Sequence, residues 1–172
     1  MTYFNLDIND VLGPEGNGAS ADLTTQMSLE NLKEELAKSL ECEIEELDFS
    51  ECTYSAEEDF LITILGLENG KEPNDDLFDN ITTIEKSNIS LDIINAANET
   101  SSSKDFDTIM SHATDDYIGS YLTESEFADS YCEDYMDLEI PQIIQGCIDW
   151  QRVWDSNLRH GHSEKNGHYF RD

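Results

Sequence analysis

The chain has 172 residues, with 39 Asp and Glu against 9 Lys and Arg, for a formal net charge of −30. Such a chain repels phosphate and anionic lipid, which excludes direct binding to nucleic acid or to an anionic membrane surface. No apolar run reaches 18 residues, so no bilayer-spanning segment is expected. The Met1–Asp7 stretch lacks the positive flank of a signal peptide, and a cytoplasmic protein is expected, in the host cytoplasm if phage-encoded.

Acidic chains are often disordered, but disordered segments are poor in aromatic and β-branched residues. Here hydrophobic residues make up 38% and aromatics 9%, enough for a folded protein under strong self-repulsion. Cys42, Cys52, Cys132 and Cys147 form no CxxC pair and read as small buried apolar residues.

Taken in chain order, Phe4, Leu6 and Ile8 alternate with polar residues and predict a strand over 3–12, closed by the Gly13–Gly18 loop. Ser28 is a candidate N-cap for a helix with Leu29, Leu32, Leu36, Leu40, Ile44 and Leu47 on one face, ending as early as Glu41. The β-branched run Phe60–Leu65 before Gly66 predicts a buried strand. Glu68–Asn80 reads as a polar boundary. Ser87 or Ser90 opens a short helix through Ile93, Ile94 and Ala97, and Ser103 caps another through Phe106, Ile109 and Met110.

Thr123-Glu124-Ser125-Glu126 is a capping box, followed by an apolar stripe of Phe127, Tyr131 and Tyr135. Pro141 opens a short segment with Ile143 and Ile144. Asp149 caps a last helix with Trp150, Val153, Trp154 and Leu158 inward. The chain closes on a hairpin-like turn at Lys165-Asn166-Gly167 and on Tyr169-Phe170. The expected fold is α+β in three modules: an α+β module over 1–70, a mostly helical one over 71–120 and a helical one over 121–172.

The charge has a pattern. Glu126, Asp129, Glu133 and Asp137 recur at steps of three and four, which aligns four carboxylates on the helix face away from Phe127. Such neighbours sit roughly 5–6 Å apart, close to the spacing of phosphates along a DNA strand. No Lys or Arg occurs between Lys104 and Arg152, while Asp115, Asp116, Glu124, Asp134 and Glu139 join the row in that interval. Like charges at this spacing weaken a helix, so the row favours potential over helix stability. Two further clusters, Glu57, Glu58 and Asp59 and then Asp75, Asp76 and Asp79, are secondary candidates. Duplex DNA carries one charge per roughly 1.7 Å, so −30 matches about 15 base pairs, and a homodimer about 30. These residues are therefore candidates for binding a DNA-binding protein in place of DNA.

Other readings compete. Salt adaptation suppresses Lys but favours Ala, Val and Gly, whereas this chain favours Ile, Asn and Ser. A divalent-cation loop starts at Asp7-Ile8-Asn9 and fails at its third ligand, and the Asp75–Asp79 run lacks the Gly turn. His160, His162 and His168 could hold a metal, though no Cys completes the set. The locally neutral end, with four basic and three acidic residues over 152–172, reads more simply as a packed terminus or a subunit contact. No nucleophile elbow, P-loop or Cys/His pair appears, so no catalytic residue, cofactor or metal is assigned and no enzyme is expected.

The carboxy-terminal third resembles the ArdA antirestriction family. The points of similarity are Phe127-Ala128-Asp129 with Tyr131-Cys132-Glu133-Asp134-Tyr135, Ile148–Leu158 with its Asp149-Trp150 start, and the terminal Tyr169-Phe170 pair; Ser55–Asp59 is a weaker echo. The resemblance implies an elongated α+β protein of small tandem modules with an acidic surface, usually dimeric. It also implies a DNA mimic that blocks Type I restriction-modification enzymes for incoming phage or plasmid DNA. The amino-terminal third departs from the family pattern, which leaves another DNA-binding target, such as a CRISPR effector, as the alternative. The His-rich basic end is a second departure and bears on the dimer geometry.

Overall fold

The computed structural model describes residues 5–24, 27–136 and 138–172, and among them the chain is a mixed α/β protein with eight helices and two small antiparallel sheets. It packs as two units, Met1–Leu91 with Lys104–Phe106, and Asp92–Ser103 with Asp107–Asp172.

In the first unit, β1 (Leu6–Leu12) lies between β2 (Gly18–Asp22) and β3 (Thr53–Ala56). Leu6 and Ile8 point into the core, and strict alternation would then bury Asp10. A bulge prevents this. Ile8 pairs with Ala21 and Val11 with Ala19, so three steps on β1 match two on β2. Asp10 takes the left-handed conformation at φ 59°, and Val11 turns inward in its place.

Ser28 caps α1 (Leu29–Ser39), its hydroxyl accepting from the Asn31 amide at 3.1 Å, and the helix buries Leu32, Leu36 and Ala37. It ends at Ser39, with Glu41 at φ 54° reversing the chain. A short 3-10 turn, Ile44–Glu46, follows, so Ile44 and Leu47 are not part of α1. The run expected as a strand over Phe60–Leu65 is instead a helix, α2 (Asp59–Ile64), which buries Leu61 and Ile64 one turn apart. The three acidic residues at its start favour the positive end of a helix dipole, and Gly66 at φ 67° ends it. α3 (Leu77–Ser87) begins inside the expected polar boundary and buries Leu77, Phe78, Ile81 and Ile84.

The second unit holds α4 (Leu91–Thr100), α5 (Phe106–Asp115), β4 (Tyr117–Ser120), α6 (Glu124–Asp134), α7 (Gln142–Gln145) and α8 (Trp150–Ser156). It closes with β5 (His162–Lys165) and β6 (His168–Arg171). The module expected to be helical therefore carries a sheet, in the order β4–β6–β5, with the last strand at its centre. The Asn166-Gly167 turn joins β5 and β6, with φ 52° and 81°, a pair of left-handed residues that suits a two-residue hairpin. Phe127, Ala128, Trp154, Leu158 and Tyr169 form the core beneath α6 and α8, with Trp150, Val153 and Tyr131 half-buried against it.

Candidate acidic interface

α6 is cut by two caps. At its start the Thr123 hydroxyl accepts from the Glu126 amide at 3.1 Å, while the Glu126 carboxylate reaches back to the Leu122 amide at 2.9 Å. Both side chains of the expected box thus satisfy an amide, Glu126 that of the residue before the N-cap. At the other end the helix stops at Asp134, so the carboxylate row is helical over Glu126, Asp129 and Glu133 only. Asp137 lies outside the described residues. Tyr135 caps the helix end and is half-exposed, but its ring stacks on that of Tyr131 at 5.1 Å, as Tyr131 packs on Phe127 at 5.3 Å, so the stripe of three rings is continuous.

The carboxylates of 115–139 meet neutral donors. Asp115 accepts from the Ser111 hydroxyl at 3.0 Å. Glu124 accepts from the Gln151 side-chain amide at 2.5 Å, and Glu133 from that of Gln145 at 2.8 Å. Asp134 and Glu139 are exposed. Asp129 is half-buried, and its Oδ1 is enclosed without a hydrogen-bond partner. Asp116 Oδ2 lies 3.0 Å from His112 Nδ1. Lysines elsewhere do find acids, in the pairs Lys33–Glu72, Lys71–Glu68 and Lys165–Glu99.

The field of these acids reaches the core. Burial, reinforced by Glu164, Glu124 and Glu126, pushes the Tyr169 hydroxyl up to about 12. Burial with Tyr135, Asp134 and Glu126 raises that of Tyr121.

Glu57, Glu58 and Asp59 are exposed and lead into α2, and Asp75, Asp76 and Asp79 are exposed around the start of α3. A helix N-terminus accounts for acids at both places, as it does for Glu124 and Glu126 in the first turn of α6. The two clusters belong to the first unit and the row to the second.

His112 and Gln151 are organising residues that periodicity did not single out. His112 stacks on Phe170 at 4.8 Å, with Thr100 Oγ1 3.2 Å from its Nε2. It forms one wall of a cleft of about 740 Å³ that Ser111, Asp116, Ser163 and Arg171 also line. Thr100 Oγ1 donates to the Ala96 carbonyl at 2.8 Å, which occupies its only proton, so the Asp–His–Thr line is a structural brace. Its sequence signal is the His112–Asp116 spacing of four on one helix face.

The histidines of the carboxy-terminal end do not converge. His162 Nδ1 donates to the Leu158 carbonyl at 2.8 Å, and the ring packs edge-on against Phe127 and Tyr131. A carbonyl accepts only, so Nδ1 carries the proton. His168 meets the Tyr117 hydroxyl, and His160 is exposed. Among the described residues no group of three His, Cys, Asp or Glu is arranged to hold a metal ion. Asp7–Leu12 runs as β1 and not as a cation-binding loop. Cys52 and Cys132 are buried as expected, whereas Cys42 is half-buried and Cys147 exposed.

Among the described residues no helix is long and apolar enough to cross a membrane. No family model, curated protein or solved structure matches the chain.

Proposed function

We propose that the protein is a non-catalytic DNA mimic that occupies the DNA-binding groove of a Type I restriction-modification enzyme. The observation that carries this reading is the run of carboxylates along α6 without a lysine pair. Three helical carboxylates share one face of α6, and the lysine pairs Lys33–Glu72, Lys71–Glu68 and Lys165–Glu99 involve none of them. A face built for stability mixes signs. A face of one sign raises the local potential and draws a basic groove, with the counterion release that DNA itself provides. The resemblance of the carboxy-terminal third to ArdA proteins supports the choice of target. The same physics serves another DNA-binding protein, such as a CRISPR effector, which is the second target to try.

A homodimer is part of the reading. Met136, Leu138, Ile143 and Ile144 are 52%, 47%, 88% and 48% exposed. Single exposed apolar residues are ordinary, but four within nine positions concentrate apolar surface that a second copy would cover. The reading also expects an elongated molecule with an acidic surface, measurable by small-angle scattering.

The deciding experiment is competition. A purified Type I restriction-modification enzyme is loaded with a fluorescent duplex of about 30 base pairs, and the protein is titrated in. Displacement that weakens by about tenfold or more between 50 and 200 mM salt is the expected result. Affinity that stays flat with salt would exclude mimicry. Displacement from a CRISPR effector and not from the restriction enzyme would move the target.

A further inference from the structure

The acidic face of the second unit is held in place by side-chain amides. Gln151 lies on α8, which packs on α6 through the Phe127–Trp154 core. Its Nε2 donates to Glu124 Oε2 at 2.5 Å and reaches Asp155 Oδ1 at 3.5 Å, while its Oε1 accepts from the Ser125 hydroxyl at 3.2 Å. The two donors and the acceptor of the amide are thus all engaged, and only one orientation of the amide satisfies carboxylates on one side and a hydroxyl on the other. Gln145, the last residue of α7, repeats the arrangement on Glu133 at 2.8 Å.

A lysine at either position would hold the same carboxylate more strongly, but it would cancel the charge. An amide fixes the carboxylate and leaves the charge whole. We infer that Gln145 and Gln151 are positioning residues of the acidic face, which order Glu133 and Glu124 for a basic partner without neutralising them. The inference rests on the mimic reading. A partner that meets carboxylates already ordered is spared the loss of their rotamer freedom on binding, which is worth about a 2- to 10-fold affinity difference per side chain. It also explains why the interval between Lys104 and Arg152 excludes cations but admits Gln142, Gln145 and Gln151.

Two substitutions at each position separate order from charge. Gln151→Met and Gln145→Met keep the length and the net charge and remove the donor. Gln151→Lys and Gln145→Lys keep a donor and add a positive charge. Each is assayed by displacement of the fluorescent duplex from the Type I enzyme across a salt series. The Met variants are expected to bind about 2- to 10-fold more weakly per position with the parent's salt slope. The Lys variants should show a slope shallower by about one. A merely structural role would lower the melting temperature of the Met variants and leave their displacement of duplex unchanged. In the free protein, the side-chain amide resonances of both glutamines should shift as Glu124 and Glu133 titrate in acid. Met variants that displace duplex as well as the parent, or amide resonances indifferent to pH, would overturn the inference while leaving the mimic reading intact. A parent protein that displaces no duplex overturns both.

Discussion

The ring of Phe127 lies flat on that of Tyr169, with centroids 4.2 Å apart and planes 8° from parallel. This contact joins the helix that bears the acidic row to the central strand of the carboxy-terminal sheet, and Trp154 meets both rings edge-on. Both side chains are almost wholly buried, at 0% and 2% exposure. The acidic face therefore depends on an aromatic cluster behind it. Phe127→Ala should destabilise the second unit by about 3–5 kcal/mol, the usual cost of emptying an aromatic site. Urea unfolding followed by Trp fluorescence measures this, since Trp150 and Trp154 both lie in that unit. A loss below about 1 kcal/mol would mean that the stack is not the anchor.

The same strand is sensitive at its turn. Gly167 has φ 81°, and a Cβ placed there would stand 2.9 Å from the Tyr121 carbonyl oxygen. The Gly167 carbonyl in turn accepts from the Tyr121 amide at 2.9 Å, so the hairpin tip is pinned to the segment before α6. Gly167→Ala is expected to cost about 1 kcal/mol or more through strain and close approach. Asn166→Gly, at φ 52°, should change stability far less. Thermal melts of the two variants give the comparison.

Much of this fold is legible from local signals. The caps at Ser28, Thr123 and Asp149 and the turn at Asn166-Gly167 all act within a few residues, and each is found at its expected place. Phe60–Leu65 reads as a strand and folds as a helix because a short apolar run has no decisive period. Its burial at Leu61, Ile64 and Leu65 follows helical spacing only once the acidic start and Gly66 are counted as signals. β2 escapes notice because Gly-Ala-Ser-Ala-Asp has little strand propensity and is extended through its pairing with β1. The pairing of β4 with β6 joins residues some fifty positions apart, a relation no local pattern carries. Of the acidic interface, the helical spacing of Glu126, Asp129 and Glu133 was readable. The amides that hold the flanking carboxylates come from α7 and α8 and required the tertiary structure.

A second acidic contact lies on the first sheet. Asp7 and Asp22 are cross-strand partners on β1 and β2, and burial together with this neighbour raises the Asp7 carboxyl above its ordinary value of 3.8. The folded state therefore holds this proton more tightly than the unfolded state does. Stability from this site is fullest in acid, falls as pH rises from 3.8 through the raised folded value, and stays reduced at neutral pH. Asp7→Asn should remove that part of the pH dependence and stabilise the protein at pH 7 by about 0.2–1 kcal/mol, the usual size of a like-charge cross-strand penalty. Urea midpoints of parent and variant at pH 4.5 and 7 test it: the gap should widen with pH. A variant less stable than the parent at pH 7 would show that the pair contributes more as a hydrogen bond than it costs as a repulsion.

Asp129 separates function from stability most sharply. It stands three residues after Glu126 and four before Glu133 on α6, so it takes part in two like-charge repulsions of about 0.2–0.5 kcal/mol each. Its Oδ1 is also enclosed without a partner, and a buried acceptor left unmet is unfavourable. Asp129→Asn relieves the repulsion and leaves the core residues Phe127, Ala128 and Cys132 untouched, so α6 should become more stable by about 0.5–1 kcal/mol. The same change removes a charge from the middle of the row. Displacement of duplex from a Type I restriction-modification enzyme should weaken, and the slope of log affinity against log salt should become shallower by about one. A residue kept for the fold would give a variant that is both less stable and less active. A residue kept for its potential gives one that is more stable and less active, and a triple Glu126→Gln, Asp129→Asn, Glu133→Gln variant should carry the same divergence further. If the single variant gains stability and keeps full displacement with the parent's salt slope, this row is not the contact surface.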